Sequence, residues 1–407
     1  MRDDIYIYDA VRTPRGRGQA ARDDKPGGSL AEVPPQQLVT GLVQALRRRC
    51  PGFEESLSGL NLGCVGQVGA QGGHIALVSR IAASLPDKVA VQSINNYCVS
   101  GLTAIGNSAG SAGEGELQLA GGVECLSQVG FLADKASYYT DPAMIKRLNW
   151  VPPIMGAELI ASLEGYEKSD LDEITLMSHQ RAAKAWRERG FAASVEAVLD
   201  KQGDALLEQD ELVRPNMTIA DLENMQPAFA AQGEMGFDDM MLKRHPQLDR
   251  IDHVHSFANC PGMADGAALA LIGDQLGGDK IGLVPKARIV SKAETAGDPV
   301  LQFGAGFAAM EQAMAAANLQ IGDFDRIEFM EAFAAVPLKF VRDYQPDMDK
   351  VNVNGGHLAM GHPMGATGAI LLTQLVHELE RCDGELGLVV ALAGGGLGSA
   401  MVIERAA

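Results

Sequence analysis

A cysteine with a reactive setting stands in Asn95-Asn96-Tyr97-Cys98-Val99-Ser100-Gly101. A strand-like run (residues 89–94) ends there, and a helix-like run of Gly, Ala and Ser (101–113) begins. A thiol at such a junction faces the unpaired amides of the helix start, which favour the nucleophilic thiolate. The plainer alternative is a small buried core cysteine. A second segment, Asn354-Gly355-Gly356-His357-Leu358-Ala359-Met360-Gly361-His362-Pro363-Met364-Gly365-Ala366-Thr367-Gly368, carries two histidines in a Gly-rich turn ahead of an apolar helix. An imidazole beside a thiol can take its proton and later return it. A turn with capping histidines is the alternative here. The segment lacks the Gly-Lys-Ser/Thr ending of a phosphate loop. A third candidate, Met330-Glu331-Ala332-Phe333, puts one acid at a strand end. A fourth, Ala393-Gly394-Gly395-Gly396-Leu397-Gly398, can aim backbone N–H groups at a developing oxyanion, or can simply be a tight turn.

These segments sit at the ends of alternating strand-like and helix-like runs, the pattern of an α/β chain. In the first third, strands are expected at 5–8, 60–65, 89–94 and 117–120, with helices at 37–48 and 101–113. The order returns in the last third. Strands are expected at 287–291, 326–330 and 386–393, helices at 307–317 and 366–380, and 351–354 leads into the Gly-rich turn. Repeated element order points to an internal duplication. Residues 124–255 differ, being richer in charge, Met, Pro and aromatics, and too long for a structureless loop. They read as an inserted cap, with 178–189 an exposed amphipathic helix.

The chain has 407 residues and 47 glycines, which cluster in short runs suited to tight turns. Net charge is −18, which argues against nucleic acid or an anionic membrane as main partner. No apolar run is long enough to span a membrane, and the start lacks a secretory layout. The six cysteines have no zinc-type spacing, so no metal site is expected, and free thiols in a reducing compartment, the cytoplasm, are the simplest reading.

Taken in order, these segments resemble the thiolase family over nearly the whole chain. Ala10-Val11-Arg12-Thr13-Pro14, the Cys98 motif, Ala120-Gly121-Gly122-Val123-Glu124-Cys125-Leu126-Ser127, Met155-Gly156-Ala157-Glu158, Ser178-His179-Gln180-Arg181-Ala182, Asp265-Gly266-Ala267-Ala268, Glu331-Ala332-Phe333, Gly361-His362-Pro363 and the terminal glycines carry the likeness. The resemblance implies a duplicated five-layer α-β-α-β-α fold with an inserted loop domain. Its parts would be an N-terminal half (1–123), the insertion (124–255), a return to the first half (256–280) and a C-terminal half (281–407). It implies a homodimer or homotetramer that uses acyl-CoA and CoA as substrates, with no permanently bound cofactor. It also implies acyl transfer through a Cys98 thioester, with His362 activating Cys98 and the amides of Cys98 and Gly394 forming an oxyanion hole. The reaction would be thiolysis of a 3-ketoacyl-CoA or the reverse Claisen condensation.

The likeness breaks at several positions. Leu392 stands where the family carries a second, proton-moving cysteine. Met330 stands where it carries Asn or His, and Pro261 where a serine often meets the CoA arm. With Phe333, Met330 and Leu392 are expected to form the wall of the site. His357 and Glu331 are the expected substitutes for the missing acid/base. Other readings are decarboxylative condensation, a thioesterase, or a non-catalytic acyl-CoA-binding subunit.

Overall fold

The computed structural model describes residues 4–406. Its strands are β1 (Ile5–Arg12), β2 (Gly16–Arg17), β3 (Leu57–Gly63), β4 (Ala90–Ile94), β5 (Leu117–Cys125), β6 (Val198–Leu199), β7 (Ala205–Leu207), β8 (Ala264–Asp274), β9 (Ala287–Ala296), β10 (Arg326–Phe329), β11 (Leu386–Ala393) and β12 (Leu397–Arg405). Ten of them share one mixed sheet in the order β10-β11-β12-β9-β1-β8-β5-β3-β4, with β2 paired to β8; β6 and β7 form a separate ribbon.

The sheet repeats itself about the β1/β9 seam. In the first half β3 runs parallel to β5, β5 antiparallel to β8, and β8 antiparallel to β1. In the second, β10 runs parallel to β11, β11 antiparallel to β12, and β12 antiparallel to β9. Val351 makes a parallel bridge to Ile327 in β10, the counterpart of β4 lying parallel to β3.

Helices fill three layers around the two half-sheets. Pro35–Arg49 and Ile75–Ala82 cover the outer face of the first half, and Gly304–Ala317 that of the second. Ser100–Ser111 and Thr367–Cys382 lie between the halves, each touching strands of both. Thr367–Cys382 is therefore buried all round from Thr367 to Leu379, as its apolar circumference requires. The Ser100–Ser111 helix is small-residued because its backbone is crowded. A Cβ on Gly101 would lie 2.8 Å from the Gly365 carbonyl oxygen.

Two expectations change. Lys168–Arg187 is longer than expected and is not an exposed helix. Its Leu171, Ile174, Ser178 and Ala182 face is buried, partly against the loop that carries His357. Strands β8 and β12 had no counterpart in the sequence reading. Buried along their length between neighbouring strands, they carry little polar–apolar alternation.

Candidate active site

Cys98 precedes the Ser100–Ser111 helix at a strained corner. Tyr97 takes φ +49°, a left-handed conformation unusual for a bulky residue. Local bonds hold it. The Tyr97 N–H donates to Asn95 Oδ1 at 3.1 Å, and the Asn96 N–H to Ser100 Oγ at 2.8 Å. The corner turns the Cys98 thiol toward His362, whose Nε2 lies 3.2 Å from Sγ. On the far side of that ring, Nδ1 lies 2.7 Å from Thr367 Oγ1. An Nδ1–H donating to Thr367 leaves Nε2 free to accept the thiol proton.

His362 is fixed from the opposite half of the fold. Its backbone N–H donates to the Gly262 carbonyl at 2.8 Å. The Arg15 guanidinium donates to the Gly361 carbonyl at 3.0 Å. Beneath the pair, the buried Glu124 carboxylate accepts from the N–H groups of Val65, Gly66 and Gly365 at 2.8, 3.0 and 3.0 Å. It thereby ties the loop after β3 to the turn after His362.

Burial sets the resting charge state. It pushes the Cys98 thiol up to about 12, helped by Glu124, while the backbone N–H groups of Gly394 and of Cys98 itself pull the other way. Burial, with the Arg15 charge, lowers His362 to about 3. The resting pair is a neutral thiol and a neutral imidazole, so proton transfer accompanies attack. The amides that favour the thiolate belong to Cys98 and Gly394, the two residues expected to form the oxyanion hole.

The pair opens onto a cavity of about 380 Å³. Met330, Phe333 and Gly394 line it, as does Phe303, whose ring centroid is 5.7 Å from that of Phe333. Leu392 does not. It is fully buried, its N–H donates to Met330 Sδ at 3.4 Å, and its side chain fills the space over Gly306. The position is thus an apolar wall one layer behind the cavity.

Neither expected substitute acid/base reaches the cavity. Glu331 is turned to the other face of its strand end, where it accepts from Ser178 Oγ at 2.7 Å, Leu358 N–H at 3.1 Å and Asn352 Nδ2 at 3.2 Å. It anchors the His357 loop. His357 is fully buried behind His362, with ring centroids 5.7 Å apart. Neither of its nitrogens has a hydrogen-bond partner among the described residues, and burial holds its pKa well below the ordinary value.

The sequence reading assigned no role to three residues of the site. Thr367 orients His362, and a hydroxyl five residues after the histidine at a helix start is its signal. Gln302 clamps the glycine turn to the insertion, accepting from Gly395 N–H at 3.3 Å and donating to the Val151 and Pro152 carbonyls at 3.1 Å each. Cys260 lines the cavity, and no local pattern in the sequence marks it.

Two family models match the chain. The thiolase N-terminal domain covers residues 5–237 and the thiolase C-terminal domain residues 283–405. The chain belongs to the thiolase family, and it is an acyltransferase that works on acyl-CoA. Among its curated relatives, the beta-ketoadipyl-CoA thiolase of Pseudomonas aeruginosa is 32% identical over 100% of both chains. The 3-oxoadipyl-CoA/3-oxo-5,6-dehydrosuberyl-CoA thiolase of Escherichia coli is 33% identical over 99% of each. The 3-ketoacyl-CoA thiolase of Bacillus subtilis is 32% identical over 98% of this chain and 99% of its own.

Proposed function

We propose that the chain cleaves 3-oxoacyl-CoA thioesters by thiolysis through an acyl-enzyme on Cys98, and catalyses the reverse condensation when acyl-CoA accumulates. The observation that carries this reading is the 3.2 Å approach of Cys98 Sγ to His362 Nε2 at a cavity of about 380 Å³. As Sγ attacks the 3-oxo carbon, His362 takes the thiol proton and Thr367 holds the ring. The N–H groups of Cys98 and Gly394 then stabilise the oxyanion, a contribution of roughly 3–4 kcal/mol per donor in comparable sites. Collapse releases acetyl-CoA as its enolate, and CoA collects the shortened acyl group. Names of relatives that include 3-ketoacyl-CoA and 3-oxoadipyl-CoA thiolases support a 3-oxoacyl substrate.

We read residues 1–123 with 256–280 as one half, 281–407 as the other, and 124–255 as the insertion. The pairing of β8 with both β1 and β5 supports this division. A homodimer or homotetramer is the expected assembly. The one-sided pairing of β4 at the sheet edge leaves a strand able to accept a partner. Six free cysteines support a reducing compartment, the cytoplasm. The test is a thiolysis assay with acetoacetyl-CoA and a longer 3-oxoacyl-CoA. Wild-type protein should consume both in a CoA-dependent reaction that Cys98→Ala abolishes. Equal turnover by the Cys98→Ala variant would refute the reading.

A further inference from the structure

The carbon–carbon step leaves an electron pair on the α-carbon of acetyl-CoA, and a proton must reach that carbon. Leu392, Glu331 and His357 lie outside the cavity, so none of them can deliver it there. Among the described side chains that line the cavity, only three titrate: Cys98, His362 and Cys260. Cys98 is committed to the acyl group. His362 holds the proton it took from Cys98 and must return it when the acyl group leaves. Cys260 has no other assignment.

Its position is built. The Phe257–Asn259 turn before it is closed by reciprocal bonds between Ser256 and Asn259. Asn259 Nδ2 donates to Asp172 Oδ1 at 2.9 Å, and the Asn259 carbonyl accepts from the Ala334 N–H at 3.0 Å. Two residues on, Gly262 accepts from the His362 N–H at 2.8 Å, and Met263 is bridged to His362. The segment carrying Cys260 is therefore anchored on one side to the strand end that bears Phe333 and on the other to His362. The thiol donates to the Ser256 carbonyl at 3.5 Å, a weak bond because S–H is a poor donor.

We infer that Cys260 is the general acid that protonates the acetyl-CoA enolate during thiolysis. This rests on the thiolase reading above. As the bond between C2 and C3 breaks, its electron pair stays on C2. The Cys260 S–H proton moves to C2, giving acetyl-CoA and a Cys260 thiolate. That thiolate takes a proton from solvent, and the incoming CoA thiol loses one to solvent. The CoA thiolate attacks the Cys98 thioester, and Cys98 leaves to recover its proton from His362. All groups return to their starting states. Burial and the nearby Glu158 carboxylate push the Cys260 thiol up, which keeps it protonated for this role. By microscopic reversibility, the Cys260 thiolate is the base that takes the same α-proton in condensation.

The test separates this step from acyl transfer. Cys260→Ala and Cys260→Ser would be assayed in two reactions: thiolysis of acetoacetyl-CoA, and single-turnover acylation of Cys98 by butyryl-CoA, which moves no α-proton. Thiolysis is expected to fall by about 10²–10⁴-fold in Cys260→Ala, with acylation changed by less than about threefold. Cys382→Ala, which removes a thiol outside the cavity, should leave both rates near wild type. Wild-type thiolysis by both Cys260 variants would overturn the assignment. So would parallel loss of acylation and thiolysis in both, which marks a structural role, or a selective thiolysis defect in Cys382→Ala alone. Failure of the wild-type protein to acylate Cys98 would instead remove the thiolase reading itself.

Discussion

At the residue scale, one histidine ring divides its two nitrogens between two tasks. Nε2 meets the Cys98 thiol and Nδ1 meets Thr367. Thr367→Val keeps the shape but removes the acceptor for Nδ1–H. The loss of one such bond, about 1–2 kcal/mol, should slow Cys98 acylation roughly 5–30-fold and lower the melting temperature by about a few degrees. Stopped-flow acylation and thermal melts together check this. The pH response follows from the two shifts. His362, lowered to about 3, stays neutral until the medium is strongly acidic. Cys98, raised to about 12, stays a thiol well into the alkaline range. The single-turnover acylation rate should therefore be flat between about pH 5 and pH 9. A limb near the ordinary histidine value would show that His362 is not held neutral by burial.

At the element scale, the site depends on close backbone approach between β5 and the turn after His362. A Cβ on Gly122 would collide with the Gly365 carbonyl oxygen. Gly122→Ala should therefore cost about 1–3 kcal/mol in stability and slow acylation by displacing His362; calorimetry and the acylation rate measure the two effects. Asp265, at the start of β8, is buried and accepts from the Ser127 N–H at 2.9 Å. Burial raises its pKa from 3.8 to about 6. A raised carboxyl favours the folded state when protonated, so its contribution is present below about pH 4 and is lost as pH rises through 6. Asp265→Asn should remove that loss, at most about 3 kcal/mol, seen as a smaller fall in melting temperature between pH 4 and pH 6.5 than in wild type. These elements differ in how plainly the sequence announces them. The glycine and histidine runs mark the turns, and 386–393 reads as the strand it is. Strand β5 extends five residues beyond its expected end, through Gly121 and Gly122 to Cys125, because glycines that look like a turn are needed for close packing. The Lys168–Arg187 helix looks solvated because Ser178 and His179 are polar, yet Ser178 donates to buried Glu331.

At the scale of the whole molecule, the duplicated sheet brings together groups far apart in the chain. Cys98 stands before one central helix and His362 before the other, 264 positions away. The repeated order of elements was legible in the sequence, and so was this pair. The direction of each side chain was not. Glu331 and His357 share motifs with cavity residues but face into the protein, while Cys260 carries no motif and faces the cavity. Strand alternation and the packing of the insertion decide these directions, and both depend on contacts between distant segments. The central claim is a covalent acyl group on Cys98. The direct measurement is mass spectrometry of the protein quenched within seconds of mixing with butyryl-CoA. One acyl adduct on the peptide containing Cys98 is expected, and added CoA should remove it as butyryl-CoA. A protein that gains no adduct on Cys98, while still turning over 3-oxoacyl-CoA, would contradict the account.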